Sequence, residues 1–117
     1  MHDGELGIGI IGSGYMGRTY AECVARYNQN SRLVAVAGGS RAAALATDYG
    51  VDAEPTVDAL LQRPDIDAVI ITSPQSAHRE QTVAAAEHGK HILVEKPMAT
   101  SVADCRAMID ACKSAGV

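Results

Sequence analysis

An α/β fold, a doubly wound parallel sheet, is predicted by three features of this sequence. Apolar segments suited to strands alternate with segments of helical periodicity, joined by short connections. A glycine run, Gly12-Ser13-Gly14-Tyr15-Met16-Gly17, lies where the first strand must turn into the first helix. The chemically distinctive loops, residues 12–17, 38–41, 72–78 and 95–97, each follow a strand. A parallel sheet brings such loops together at the carboxyl ends of its strands, where ligands bind.

The elements follow in order. Residues 6–11 form an apolar run that reads as a buried strand. Residues 15–27 have helical spacing, with Met16, Tyr20, Cys23, Val24 and Tyr27 on one face. Residues 33–37 are the second strand. Residues 42–49 form a helix ending at Gly50, a C-cap residue, before a short third strand over 51–53. Thr56 can cap a short helix carrying Val57, Leu60 and Leu61, which Pro64 stops. Residues 68–72 are apolar on both faces, as a strand covered by helices on both sides must be. Ser76 opens a helix running to about His88, with Gly89 as its stop, and residues 91–94 are the fifth strand. Ser101-Val102-Ala103-Asp104 resembles a capping box, and the helix after it is expected to bury Val102, Cys105, Met108, Ile109 and Cys112. Crossovers between these strands should be right-handed.

Composition narrows the class. A chain of 117 residues predicts one domain over residues 1–117, and 47% apolar residues are enough to fill a core. With no Phe and no Trp, that core must be built from Ala, Val, Ile and Leu. A net charge of -4 argues against nucleic acid or an anionic membrane as partner. The sequence shows no signal peptide and no apolar run long enough for a bilayer, so the cytoplasm is the expected location. Cys23, Cys105 and Cys112 have no metal-ligand spacing. They read as small buried hydrophobes rather than metal ligands or redox groups.

The glycine run predicts an anion site. A helix opening straight off a strand leaves its first N–H groups unpaired, and with the helix dipole these favour a phosphate. Gly12 would permit the tight turn, Gly14 the close approach of a pyrophosphate, and Gly17 the close packing of helix on sheet. An overlapping match, Gly7-Ile8-Gly9-Ile10-Ile11-Gly12, lies within the strand and precedes no helix. Glycines there serve close packing on the strand instead.

The other loops suggest what the phosphates belong to. An NAD-binding fold usually has Asp or Glu after its second strand, bonded to the ribose 2′-hydroxyl. Here the loop is Gly38-Gly39-Ser40-Arg41, with no acid. Ser40 and Arg41 could hold a 2′-phosphate, Arg41 through charge-assisted bonds, which favours NADP over NAD. Arg41 stacked on adenine would suit NAD equally. In the third loop, Thr72-Ser73-Pro74-Gln75-Ser76-Ala77-His78, Pro74 and the following helix N-terminus would wall the ribose and nicotinamide. His78 in a helix's first turn is commonly a surface residue, but its place over the expected crevice makes it a candidate. The fourth loop places Glu95-Lys96-Pro97 directly after a buried strand. Lys96 could polarise a substrate hydroxyl or carbonyl, or move a proton. The residues alone also fit a solvated Lys–Glu pair in a turn.

These residues resemble the N-terminal half of the glucose–fructose oxidoreductase, inositol dehydrogenase and rhizopine-catabolism (Gfo/Idh/MocA) oxidoreductases. The resemblance covers nearly the whole chain. It is carried by the glycine run, by Asp65-Ile66-Asp67-Ala68-Val69-Ile70-Ile71-Thr72-Ser73-Pro74 with His78, and by His91-Ile92-Leu93-Val94-Glu95-Lys96-Pro97. It implies a Rossmann domain binding NAD or NADP, for an oxidoreductase acting on a CH–OH group of a sugar, inositol or related polyol. It further implies that Lys96 contacts substrate and cofactor at the hydride-transfer site and that Glu95 lines the same pocket. By the same likeness Pro97 follows a cis peptide bond, and Thr72, Ser73, Pro74 and His78 border the ribose and nicotinamide. Gln75 stands where the family usually has Asn.

Family members continue into a second, α+β domain that supplies most substrate contacts and completes the catalytic set. The 117 residues alone are therefore expected to bind a dinucleotide, to catalyse little, and to meet a small-molecule substrate only with that second domain. The apolar surface that domain would cover invites self-association into a homo-oligomer. An alternative is a non-catalytic NAD(P)-binding sensor, against which the Glu95-Lys96-Pro97 triplet argues. An S-adenosylmethionine binder on the same fold would leave the fourth loop unexplained.

Overall fold

The computed structural model describes residues 4–117. Five strands, β1 (Leu6–Ile11), β2 (Ser31–Ala37), β3 (Asp52–Ala53), β4 (Ala68–Ile71) and β5 (His91–Val94), form one sheet in the order β3-β2-β1-β4-β5. Every pairing is parallel. The helices are α1 (Tyr15–Glu22, prolonged by a π turn over Cys23–Tyr27), α2 (Ala42–Tyr49), α3 (Val57–Leu61), α4 (His78–Glu87) and α5 (Val102–Ala115). This is the doubly wound α/β architecture that the alternating pattern predicts.

Strand alternation divides the core into two layers. Ile8, Ile10, Leu33, Val36 and Ile70 pack with Ala21 and Val24 of the first helical segment and Leu45 and Ala46 of α2. Ile11, Val34, Ala37, Val69 and Ile71 turn the other way, against Leu60 and Leu61 of α3 and Ala85 of α4. A bulge between Ile8 and Gly9 shifts the β1–β2 register, pairing Ile8 with Leu33 but Gly9 with Ala35. Gly9 lies beneath α3: a Cβ there would sit 2.8 Å from Ile66 Cδ1 and 2.9 Å from Leu60 Cδ2. One at Gly7 would collide with the Asp65 carbonyl oxygen. The glycines of the overlapping motif thus serve packing. Lys90, buried just before β5, donates to the carbonyls of Arg63 (2.7 Å) and Ile66 (2.6 Å) and ties the segment after α3 to the sheet. Its burial lowers its pKa.

Several boundaries differ from expectation for local reasons. The segment over 15–27 is not one regular helix. Asn28 N–H bonds to Cys23 O at 2.9 Å, five residues back, and this wider turn carries Tyr27 off the buried face, leaving it 75% exposed. The fourth strand stops at Ile71, although Thr72 N–H still bonds to Ile11 O at 2.7 Å. A 3₁₀ turn over Gln75–Ala77, closed by Ala77 N–H on Pro74 O, precedes α4, which begins at His78 rather than Ser76.

The largest correction concerns α5. Of its five expected core residues only Met108 is buried. Val102 is 72% and Ile109 45% exposed, while Cys105 and Cys112 are half-buried, as is Cys23. The three cysteines are free thiols and not fully buried hydrophobes. The helix packs chiefly on α4 beyond the edge strand β5, whose own His91 and Leu93 are exposed. Helical spacing provides an apolar face; what covers it depends on neighbours.

Candidate functional site

The crevice opens outside the carboxyl ends of β2, β1 and β4, where chain order reverses direction across the sheet. Its cavity, about 570 Å³, is walled by Ile11, Gly12, Ser13 and Gly14 of the first loop and by Gly38, Gly39, Ser40 and Arg41 of the second. Thr72, Ser73, Pro74, Ala77 and Gln81 complete it.

The three glycines differ in what surrounds them. Gly12 has φ +109°, and a Cβ there would come within 2.8 Å of Ser73 N. Gly17 packs so closely that a Cβ would strike the Gly12 carbonyl oxygen, which brings α1 down on β1. Gly14 has ordinary φ (-80°), and a Cβ there would meet nothing within 4 Å. Its bareness therefore serves neither a left-handed turn nor internal packing; it leaves open the approach to the helix end. Gly14 is also the N-cap of α1, which has no side-chain cap and no acidic residue in its first turn. Arg18 N–H is the donor that bonds back to Gly14 O, at 3.0 Å. The N–H groups of Tyr15, Met16 and Gly17 precede it and have no place in the helical ladder. An anion seated over Gly14 would supply the missing cap.

Ser13 is buried and joins two loops. Its hydroxyl donates to Gly38 O at 2.8 Å and accepts from Arg41 N–H at 3.1 Å. The second loop passes through Gly38 (φ +86°) and Gly39 (φ +81°), and presents Ser40 and Arg41 exposed at the cavity rim. Tyr15 is exposed, and neither it nor Met16 is a cavity wall.

On the other side, Thr72 Oγ1 donates to Ile11 O at 3.1 Å, and Ser73 Oγ donates to Gln81 Oε1. His78 is 1% exposed, so its ring lies beneath the surface rather than on it. Its Nε2 is 2.8 Å from Ser73 O, and its Nδ1 lies 3.0 Å from Pro97 O and 3.2 Å from Met98 O. The ring thereby stitches the third loop to the fourth. Gln75, exposed, adds a second stitch by donating to Ala99 O at 3.3 Å.

The fourth loop stands apart from the cavity: Glu95, Lys96 and Pro97 are not among its walls. Lys96 and Pro97 are exposed, and the bond between them is cis. Glu95 Oε1 accepts from Lys96 N–H at 3.0 Å. Oε2 is shut off from solvent without a well-formed hydrogen bond, and the Tyr20 hydroxyl is the polar group set against the carboxylate. The Lys96 N–H, and after it Tyr20, hold the Glu95 carboxyl below the usual range; the Glu95 carboxylate in turn raises Tyr20. Ala77 and Gln81 line the cavity without having been anticipated. One helical turn separates Ala77 from Gln81, but only the packing of α4 shows that this side meets the crevice.

An uncapped helix over an open glycine cradle, at the switch point of a parallel sheet, defines a dinucleotide-binding domain. The residue profile of the GFO_IDH_MocA oxidoreductase family, NAD-binding Rossmann fold, matches residues 6–117. The chain belongs to this family. It is 36% identical over 111 residues to an inositol 2-dehydrogenase of Pseudomonas fluorescens, covering 92% of this chain and 33% of that protein. It is 35% identical over 112 residues to a 2,7-anhydro-N-acetylneuraminate hydratase of Mediterraneibacter gnavus, covering 96% and 30%. The structure of Synechocystis biliverdin reductase with biliverdin and NADP⁺ superposes with a TM-score of 0.87 at 33% identity, covering 95% of this chain and 35% of that one. The chain thus spans about a third of the length of these relatives. Among the described residues, no helix is long and apolar enough to cross a membrane.

Proposed function

We propose that this chain provides the dinucleotide site of an oxidoreductase acting on a CH–OH carbon of a sugar, inositol or related polyol, with NADP preferred over NAD. The bare Gly14 at the uncapped end of α1 carries the reading, because it leaves both space and unpaired donors for a pyrophosphate. The residues present fit the cofactor. Gly12, Ser13, Gly14 and the first turn of α1 would hold the phosphates, and Ser40 and Arg41 the adenosine ribose. When bound, the nicotinamide ring supplies the hydride acceptor or donor.

The preference for NADP rests on the second loop. Gly38, Gly39, Ser40 and Arg41 offer a hydroxyl and a guanidinium where a carboxylate would repel a 2′-phosphate. Lys96, exposed on the fourth loop that His78 anchors, is the residue to bind and polarise the substrate oxygen and to hold its proton. Substrate recognition would be completed by residues outside this chain's 117.

The test is calorimetric titration of the chain with NADPH and NADH, repeated with Arg41→Ala. NADPH is expected to bind more tightly, and the variant to lose about tenfold for NADPH with little change for NADH. Equal losses would remove the 2′-phosphate role from Arg41. Absence of binding to either dinucleotide would remove the proposed function.

A further inference from the structure

We propose that Gln81 contacts the adenosine half of the bound dinucleotide and donates hydrogen bonds to it; this rests on the dinucleotide reading above. Gln81 stands on α4 one turn beyond Ala77, and both belong to the wall that Ser73 and Pro74 begin. Because β1 lies between β2 and β4, this wall faces the second loop, with Ser40 and Arg41, across the glycine run. The cavity is therefore bounded by a glutamine on one side and the proposed ribose-binding pair on the other.

The amide of Gln81 is oriented before any ligand arrives. Its Oε1 accepts from Ser73 Oγ. Ser73 is itself restrained, since its carbonyl oxygen lies 2.8 Å from Nε2 of the buried His78. With Oε1 engaged, the two N–H donors of Nε2 are left without an acceptor among the hydrogen bonds of the described residues. A half-buried amide with a fixed acceptor end and free donors, in a cavity wall, is suited to ligand oxygens or ring nitrogens. Adenine ring nitrogens, ribose oxygens and phosphate oxygens are such acceptors. A neutral donor there also adds no negative charge beside the phosphates, as a glutamate would.

The half of the ligand follows from the walls. Lys96, which the proposed function sets at the substrate oxygen, does not line this cavity, and neither do Glu95 and Pro97, whereas the second loop does. Gln81 accordingly serves the adenosine end, and its contact should be indifferent to the nicotinamide.

The experiment titrates the chain and its Gln81→Leu and Gln81→Glu variants with the preferred dinucleotide and with the same ligand lacking nicotinamide. Circular dichroism confirms each fold. Gln81→Leu is expected to weaken both ligands equally, by about tenfold, and Gln81→Glu to weaken both further. If Gln81→Leu does not fold, Ser73→Ala, which frees the amide, is expected to weaken both by about threefold. Unchanged affinity in the folded variant, or a loss confined to the nicotinamide-bearing ligand, would overturn the assignment. Failure of the parent chain to bind either ligand would overturn the dinucleotide reading, and this proposal with it.

Discussion

Helices α1 and α5 begin differently. Ser101 caps α5 by accepting from Asp104 N–H at 3.1 Å, and Asp104 adds an acid to the first turn. Helix α3 begins in the same way, with Thr56 accepting from Ala59 N–H at 3.0 Å and Asp58 in its first turn. Helix α1 has neither cap nor acid, and neither has α2, which opens from Arg41. The two ends that lack both border the cavity, as does the start of α4, which has no side-chain cap but carries Glu80 in its first turn. An absent cap costs a helix about 1 kcal/mol. That cost falls where an anionic ligand would supply both the missing hydrogen-bond acceptor and the charge complement to the dipole. The capped starts of α3 and α5 lie away from the cavity, and the bare starts of α1 and α2 border it.

The contrast can be broken most directly at Gly14. Its φ of -80° suits any residue and a Cβ meets nothing, so Gly14→Val should fold with little change in thermal stability. Its side chain would occupy the phosphate approach and weaken NADPH by at least about a hundredfold, about 2.8 kcal/mol. Calorimetry with a melting curve checks both halves; retained affinity in the folded variant would remove the cradle from the site.

Gly17→Ala sharpens the comparison from the other side. Its methyl group would strike the Gly12 carbonyl, so the expected result is a stability loss of about 2 kcal/mol, measured by denaturant unfolding. Two glycines of one motif would then fail in two different ways. The smallest effect is expected at the capped end. Ser101→Ala should cost about 1 kcal/mol in unfolding free energy and leave dinucleotide affinity unchanged, because Ser101 is no part of the cavity. A change in affinity there would show that the two helix ends are coupled.

The relatives are named for different reactions. One is named for oxidising inositol and another as a hydratase, and both match the present residues at similar identity over nearly their whole length. Similar residues thus occur in proteins named for different reactions, so the present residues do not by themselves name the substrate. This agrees with the placement of the described cavity, which the first three crevice loops enclose and the fourth does not.

Much of the fold was legible because it rests on local rules. Leu6–Ile11, Ala42–Tyr49 and His91–Val94 fall where apolar runs and helical spacing place them, and Gly50 adopts the left-handed φ of +65° that its C-cap role requires. Tyr27 and the face of α5 depart from what the same spacing predicts. A π turn alters the period in the first case, and in the second an apolar stripe cannot show whether another element will cover it. In the site, the glycine run and the loop without an acid could be found by position alone. Gln81 could not, because its relevance depends on which side of α4 meets the crevice.

The sequence by itself determined the alternation of strands and helices, the parallel class of the sheet and the glycine run that turns β1 into α1. These follow from sterics and periodicity among near neighbours. The tertiary structure alone decided that Ser13 joins Gly38 and Arg41, that His78 turns inward to Ser73, Pro97 and Met98, and that Lys90 closes on Arg63 and Ile66. Most of these bonds join residues about twenty or more positions apart. A polar side chain's partner at that range is set by how the sheet brings its loops together, and by the cost of burying a polar group without one.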